Sequence, residues 1–344
     1  MIPLIAPTGL LILATGSIWL GAVLGSKKPE PKDEMTDEIL DLTWCQVMIM
    51  PLSSSLFLLL LFYFFAYVQL VMILFIVTGS GLSCIEVMRS SLAAFAPSWN
   101  GNVSSIMCVL FTIYMIIQWA TNCSFIAHDV LGCSICISSI ALIRFPSLKL
   151  AAVCLTLLLL YDIFWVFYSE YFFHKNVMVE VATKNAINPL QELGVRYSIS
   201  MLKALTPKLN LPIKLLMPSG LGPDSRVYML GLGDIALPGF LISLALRCDI
   251  YHTHKQILPQ YTPESLLLQE TRAKVAKTSP NLFEYGLGGY VFGLILAFYI
   301  GSISGHAQPA LIYLVPGVII PIALRAWQRG MFLEVWNGPS KLND

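Results

Sequence analysis

Two aspartates lie inside apolar segments that are long enough to cross a lipid bilayer. Asp162 stands in LLLLYDIFWVF and Asp234 stands in YMLGLGDIALPG. A carboxylate at membrane depth costs roughly 3 kcal/mol on insertion scales, so such residues are rarely kept without a function. Two carboxyl groups that face each other are the apparatus of aspartic proteolysis, so the relative depth of these two residues decides whether they can act together.

The two aspartates are predicted to lie at similar depths. The first segment covers about 148–173 and the second about 227–246, so Asp162 is 14 residues from a leading end and Asp234 is 12 residues from a trailing end. Consecutive spans are antiparallel, so those two ends lie on the same membrane face. At about 1.5 Å per residue the depths differ by roughly 3 Å, so adjacent helices can bring the carboxyls together.

The composition is that of a membrane protein with many spans. Of the 344 residues, 56% are hydrophobic and only 12% are charged, whereas about 25% are charged in an ordinary soluble domain. The net charge is +1, which gives no support to nucleic-acid binding. We therefore predict an all-α polytopic membrane protein.

Apolar windows of about 20 residues predict nine transmembrane helices. The windows cover approximately 3–25, 46–65, 67–88, 104–121, 124–144, 148–173, 227–246, 284–304 and 309–328. The second and third windows are almost fused, and no internal repeat is evident. We expect an N-terminal bundle of five spans over 1–147 and a catalytic half of four spans over 148–344, with loops at 174–226 and 247–283.

The basic residues predict the orientation in the membrane. With an exoplasmic N-terminus, 14 of the 21 Lys and Arg fall in cytosolic segments and the other seven fall in the long 174–226 loop. Positive charge on the cytosolic side favours this arrangement. It makes the 174–226 loop exoplasmic, the 247–283 loop and the C-terminus cytosolic, and Asn102 of the N-V-S sequon cytosolic. Because Lys27 and Lys28 follow the first apolar run, we expect that run to be a retained span.

Glycine and proline surround the second aspartate in a distinctive way. The motif is Gly231-Leu232-Gly233-Asp234, with Pro238 four residues on. Glycines beside the carboxyl allow another backbone to approach closely. Pro238 has no N–H, so the helical partner of the Asp234 carbonyl is missing, and such a loosened helix is tolerated in a membrane only beside protein or water. The alternative is a structural kink whose carboxyl is satisfied by a neighbour.

Tyr161 precedes the first aspartate, and a short motif opens the last predicted span. The hydroxyl of Tyr161 is suited to steering a carboxyl or a substrate carbonyl, and packing is an equally good explanation. Asp162 alone is also compatible with a polar contact between helices. The opening motif is Gln308-Pro309-Ala310-Leu311. A proline begins a helix comfortably and a small residue allows close helix packing.

In this order, the motifs at 161–162, 231–234 and 309–311 resemble those of the presenilin and signal peptide peptidase family of intramembrane aspartyl proteases. The resemblance covers essentially the whole chain. It implies a nine-helix fold, a catalytic dyad of Asp162 and Asp234, and an active-site wall that includes 308–311, Tyr161 and 231–233. It also implies type II single-pass membrane proteins as substrates, and neither metal nor other cofactor takes part in the reaction.

Four stretches that flank the motifs indicate which type within this family the chain resembles most. RFPSLKL (144–150), YDIFWVFYSEYFF (161–173), NVMVEVAT (176–183) and LPIKLLMPS (211–219) are most similar to the signal peptide peptidase-like 3 type and its plant relatives. Presenilins carry a longer cytosolic loop between the aspartate spans and sit the opposite way round. The ending SKLND lacks a dilysine signal, which favours the Golgi or endosome over the endoplasmic reticulum. The partners expected are these substrates and the lipid bilayer, and a homo-oligomer is left open.

Other features keep rival interpretations open. A transporter or channel would use the aspartates as ion or proton ligands, although inverted repeats are lacking. A scaffold without catalysis is a further alternative. His128-Asp129 suggests a proton relay, but a position at the membrane interface is favoured. The alternating run 176–181 (NVMVEV) predicts a strand, and this strand or the backbone around Pro309 is expected to capture unwound substrate by strand addition.

Overall fold

The structure is a computed structural model, and it describes most of the chain. The described residues are 5–27, 40–95, 101–122, 124–174, 177–183, 186–188, 191, 196–198, 208–209, 211–218, 227–253, 280–304 and 308–338. The helices are α1 (Ile5–Lys27), α2 (Trp44–Phe95), α3 (Gly101–Asn122), α4 (Phe125–Leu142), α5 (Leu148–Ile163), α6 (Ser169–Phe173), α7 (Val177–Thr183), α8 (Leu232–His252), α9 (Leu282–Ser304), α10 (Leu311–Gln328) and α11 (Phe332–Asn337). A π-helix over Phe164–Tyr168 joins α5 to α6.

Short strands accompany the helices. They are β1 (Leu40–Asp41), β2 (Ile143–Arg144), β3 (Ala186–Ile187), β4 (Lys208–Leu209), β5 (Lys214–Pro218) and β6 (Val227–Gly231). β1 pairs with β2 in parallel, β3 with β4 antiparallel, and β5 with β6 antiparallel. The pair β5–β6 is the longest of the three and leads directly into α8.

The predicted all-α membrane fold is confirmed. Within the described residues, seven helical stretches are long and apolar enough to cross a membrane, and α2 alone accounts for a 50-residue stretch. Phe64 has non-helical backbone angles (φ −117°, ψ 22°), so α2 is two helices joined across a kink. That kink lies where the sequence predicted two nearly fused spans. The number nine stays a prediction.

The predicted span 227–246 begins too early and ends too early. Residues 227–231 form β6, and the helix α8 runs from Leu232 to His252. The side chains of Leu230 and of its partner Leu215 on β5 are 3% and 0% exposed. Cross-strand burial of this kind stabilises the pairing. An apolar run such as VYML does not distinguish this strand from the first turn of a membrane helix.

The predicted strand over 176–181 is wrong, because the structure has the helix α7 over Val177–Thr183. Val177 is fully buried against Leu58 and Trp165, and Met178 and Val181 pack against the same cluster. The spacing of these three apolar residues is helical, since 177, 178 and 181 share one face. The N–H of Val177, at the start of α7, donates to the Ser169 hydroxyl at 3.3 Å.

Contacts divide the chain into two compact units. The first comprises Met1–Ser17, Pro51–Ser139 and Tyr161–Ala236, and the second comprises Ile18–Met50, Ile140–Leu160 and Leu237–Asp344. The boundaries fall inside several long helices. They therefore follow a different division from the predicted halves 1–147 and 148–344, whose functional meaning stays a prediction.

The core of the first unit joins α2, α3, α4 and the segment that precedes β5. Its buried members are Ile73, Ile76, Cys84, Trp119, Ala127, Leu131 and Leu211. Burial of Leu211 in this cluster fixes the chain just before β5 onto the helices. The hairpin β5–β6 is thus held by the helical core at its start as well as by its own ladder.

In the second unit, α9 and α10 approach each other through glycines. A Cβ atom added at Gly289 would collide with the Gly317 carbonyl oxygen, and one added at Gly293 would lie 2.8 Å from the Tyr313 carbonyl oxygen. Tyr290 and Leu314 are fully buried beside them. Small residues let membrane helices pack backbone to backbone in this way.

Asp249, near the end of α8, holds the start of α9. Its two carboxylate oxygens accept the backbone N–H groups of Leu282 and Phe283 at 3.0 and 2.9 Å. These donors lie in the first turn of α9 and have no partner within the helix. The carboxylate also lies near the positive end of the helix dipole. Asp249 therefore links the last turns of α8 to the first turn of α9.

We predict that Gly289→Ala lowers the thermal stability of the protein in detergent, because its methyl group would collide with the Gly317 carbonyl. Overpacking of this kind typically costs about 1–3 kcal/mol. The matched control is Gly288→Ala, because a Cβ at that position meets no atom of the described residues within 4 Å. Equal melting temperatures for the two variants would contradict the close packing of α9 and α10.

Candidate active site

Asp162 is the penultimate residue of α5, and its side chain is buried. The residue is 6% exposed. Its neighbour Tyr161 interacts electrostatically with the Asp162 carboxyl, and the Tyr161 side chain also packs against the cluster that contains Leu58 and Trp165. The packing contact of Tyr161 is therefore observed, and its role in steering a carboxyl or a substrate carbonyl stays a prediction.

A π-helix begins two residues after Asp162, a feature that sequence analysis did not predict. It is tethered by Trp165, whose Nε1–H donates to the Ser55 hydroxyl at 3.1 Å, while the Ser169 hydroxyl donates to the Trp165 carbonyl at 2.6 Å. Single π-turns inside α-helices occur frequently at functional sites. This one changes the direction of the side chains that follow Asp162 and holds its helix against α2.

Asp234 lies in the first turn of α8, immediately after the strand β6. The backbone N–H of Gly231 donates to the Asp234 carboxyl. A Cβ at Gly231 would lie 3.1 Å from Asp234 Oδ2, whereas a Cβ at Gly233 would meet no described atom within 4 Å. The space at Gly231 is therefore taken by the Asp234 carboxyl itself, and open space remains beside Gly233. Pro238 lies inside α8, so the Asp234 carbonyl has no i+4 donor, as predicted.

Asp162 and Asp234 both belong to the first unit. The carboxyls of Asp162 and Asp234 lie close enough to repel each other electrostatically. They come from different helices, α5 and α8, as the sequence predicted. Two adjacent carboxyls in a site of low dielectric constant cannot both ionise cheaply, so such a pair holds one proton between them. This arrangement can act as acid and base at once.

The hairpin β5–β6 sets the approach to Asp234. Leu232 N–H donates to the Ile213 carbonyl at 3.2 Å. Because antiparallel pairing alternates, the backbone groups of Val227, Met229 and Gly231 point away from β5. Within the described residues no strand pairs with that outer edge. The Gly231 N–H on this edge binds the Asp234 carboxyl, so the free edge of β6 ends at the aspartate.

Of two further residues of the hairpin region, Lys214 lies opposite the aspartate motif and Leu232 lies within it. Lys214 of β5 is opposite Gly231 in the register, and burial lowers the pKa of its ammonium group. Leu232 is partly buried at the start of α8, and its carbonyl oxygen lies 3.6 Å from the Cys136 sulfur of α4. The predicted wall residues 231–233 thus lie at the junction of β6 and α8.

The third predicted motif, Gln308–Leu311, belongs to the second unit. Pro309 and Ala310 form the turn that opens α10, with their carbonyls accepting the N–H groups of Ile312 and Tyr313 at 3.3 and 3.0 Å. The Tyr313 hydroxyl donates to Gln308 Oε1 at 2.7 Å. The motif is therefore a helix start, as predicted, and its role as an active-site wall stays a prediction.

A family model described as signal peptide peptidase matches residues 34–341. The chain belongs to the signal peptide peptidase family. This confirms the family to which the motifs pointed, a family of intramembrane aspartic proteases. The match includes both aspartates, the Gly231–Asp234 motif and the Gln308–Leu311 motif.

Signal peptide peptidase-like proteins of plants are similar to this chain. The signal peptide peptidase-like 1 proteins of Oryza sativa subsp. japonica and Arabidopsis thaliana are 37% and 36% identical to it, over 67% and 66% of its length. The signal peptide peptidase-like 3 protein of Arabidopsis thaliana is 29% identical over 91% of the chain and 53% of its own length. The aligned region covers 61% and 60% of the first two relatives, so the chain spans about three fifths of their length.

For this member of the signal peptide peptidase family, we predict that alanine substitutions at Gly231 and Gly233 have different effects on the binding of an inhibitor. Gly231→Ala places a methyl group against Asp234 Oδ2, so it should abolish labelling by an aspartyl-protease transition-state mimic. Gly233→Ala should keep the labelling, because its methyl enters open space. If a substrate backbone uses that space, Gly233→Ala still lowers cleavage of a long transmembrane substrate. Equal labelling of both variants would contradict the placement of Asp234 over Gly231.

Proposed function

We propose that this protein is an intramembrane aspartic endopeptidase that cleaves within transmembrane segments of type II single-pass membrane proteins. The observation that supports it best is that the carboxyls of Asp162 on α5 and Asp234 on α8 lie within electrostatic range of each other. Membership of the signal peptide peptidase family supports the same conclusion. The Golgi or endosome is the proposed location, with the N-terminus exoplasmic and the C-terminus cytosolic.

The proposed reaction needs only the two carboxyls and water. The ionised carboxylate takes a proton from a water molecule as the water oxygen attacks the scissile carbonyl carbon. The protonated carboxyl donates a hydrogen bond to the carbonyl oxygen and stabilises the charge that develops there. Collapse of the tetrahedral intermediate breaks the C–N bond, and the leaving amine takes a proton from the dyad. The two aspartates then share one proton again, so their roles can exchange.

The free edge of β6 is the proposed place of substrate capture. A substrate helix hides its own peptide groups, so it has to unwind before cleavage. An unwound strand can pair with the outward N–H and C=O groups of Val227 and Met229. Because this edge ends at Gly231, whose N–H binds Asp234, the paired strand would run directly to the dyad. This replaces the predicted capture strand at 176–181.

We predict that Asp162→Asn and Asp234→Asn each reduce cleavage of a purified type II reporter by roughly a thousandfold or more, as expected when one member of a catalytic unit is lost. The control is Glu170→Gln, which removes an exposed carboxyl from α6 on the same helical stretch. It should cleave at the wild-type rate. Full cleavage by either aspartate variant would remove the dyad, and a transporter would show no labelling by the transition-state mimic.

We predict that Met229→Pro lowers cleavage of a transmembrane reporter at least tenfold and leaves labelling by a small transition-state mimic intact. A proline there removes an N–H from the free edge without disturbing the bonds to β5, because proline is tolerated at strand edges. Met229→Leu is the control and should cleave normally. Wild-type cleavage by Met229→Pro would exclude strand addition at β6.

A further inference from the structure

One face of α4 contacts the hairpin and the aspartate motif at several points. His128, Gly132 and Cys136 are four residues apart, so they share a face of the helix. A Cβ at Gly132 would lie 3.2 Å from a methyl carbon of Leu215 and 3.5 Å from one of Leu232. The Cys136 sulfur approaches the carbonyl oxygen of Leu232. The strands and the start of α8 are thus packed along α4.

The first turn of α4 adds directional bonds to this packing. The Nε2 atom of His128 lies 3.0 Å from the Leu211 carbonyl oxygen, and its Nδ1 atom lies 3.0 Å from Asp129 Oδ1. The same Asp129 oxygen accepts the Leu216 backbone N–H at 2.9 Å. Both side chains are buried, with 2% and 8% of their surfaces exposed. The position of this pair relative to the membrane interface stays a prediction.

The hydrogen-bond chemistry defines what the pair does. A carbonyl oxygen only accepts, so His128 Nε2 carries a proton and donates to Leu211. A second proton lies between Nδ1 and Asp129 Oδ1, because two lone pairs at 3.0 Å would repel each other. Both ring nitrogens are therefore engaged. The pair acts as an anchor for two backbone groups that are 83 and 87 residues away in the chain.

The anchored segment is the outer side of the hairpin. Leu216 is in β5, and its N–H points away from β6 because pairing alternates along the ladder. The opposite strand β6 carries the free edge and ends at Gly231, three residues before Asp234. His128 and Asp129 therefore hold one side of a two-stranded sheet whose other side leads to the dyad.

We propose that His128 and Asp129 are positioning residues for proteolysis, which set the place and register of β5–β6 and thereby of the substrate edge and Asp234. This inference rests on the proposed function. Neither residue contacts the substrate or the attacking water in the proposed reaction. Their contribution is the pair of hydrogen bonds to Leu211 and Leu216, and it requires a donor at 128 and an acceptor at 129, without requiring a charge.

The experiment compares an amide pair with apolar replacements. His128→Gln/Asp129→Asn cannot titrate, yet Gln can donate to the Leu211 carbonyl and Asn can accept from the Leu216 N–H. Asp129→Leu keeps the branched arrangement of heavy atoms and cannot accept a hydrogen bond. His128→Leu loses the bonds to Leu211 and to Asp129 but keeps the Asp129 acceptor for the Leu216 N–H. It serves where Asp129→Leu does not fold. Each purified variant is measured for hydrogen exchange over 211–218, mimic labelling, and kcat and KM on the type II reporter.

The expected results separate positioning from general stability. Asp129→Leu should speed amide exchange over 211–218 at least tenfold, lower mimic labelling, and lower kcat/KM at least tenfold with a raised KM. The amide pair should keep wild-type exchange and at least a third of the wild-type kcat/KM. A purely structural loss would reduce the amount of active enzyme and leave KM unchanged.

Several outcomes would overturn the proposal. Unchanged amide exchange over 211–218 in both apolar variants would show that His128 and Asp129 do not anchor this segment. Faster exchange together with wild-type KM and labelling would show that the position of β5 does not affect the site. An amide pair as inactive as Asp129→Leu would favour a proton relay. A wild type that neither cleaves the reporter nor binds the mimic would instead remove the proposed function, while the exchange measurement would still decide whether the anchor exists.

Discussion

A polar group in a bilayer has to find its partner inside the protein, and this constraint governs the structure. Most of the described chain is helical, and a helix provides hydrogen-bond partners for its own backbone N–H and C=O groups. The two departures that bear on the site are the π-helix after Asp162 and the hairpin before Asp234. Each is held by specific polar contacts, from Ser55 to Trp165 and from Asp129 to Leu216. Irregular backbone thus occurs directly beside each of the two aspartates.

The same constraint explains how one motif serves both structure and chemistry. Gly231 ends a strand, leaves room for the Asp234 carboxyl and supplies an N–H to it. Asp234 then opens a helix whose first N–H groups favour a carboxylate. Pro238 frees the Asp234 carbonyl one turn later. A short sequence therefore makes the transition from strand to helix and also holds the Asp234 carboxyl in place.

Much of the fold and site could be predicted from the sequence, because apolar length and misplaced charge are strong signals. The membrane class, the near fusion of spans at Phe64, both aspartates and the helix start at Pro309 follow from local residues. The strand β6 could not be predicted, since VYML is as apolar as a helix turn and its partner is distant. NVMVEV alternates like a strand, yet Val177 and Val181 pack as a helix face. The hydrogen bonds from His128 and Asp129 to the chain before and within β5 could not be predicted from the sequence either, because their partners are backbone groups far along the chain.

Directional bonds from α4 matter because apolar packing alone does not fix the register of a strand. A slip of one residue would move β5 by about 3.3 Å and turn Leu215 out of the core. Any shift passed through the ladder to β6 would reach Gly231, and therefore the bond that holds Asp234. Leu215 and Leu230 resist such a slip through burial, and the Leu216 N–H resists it through a bond that Asp129 accepts at one position only. The placement of Asp234 thus depends on α4, a helix that carries neither of the two aspartates.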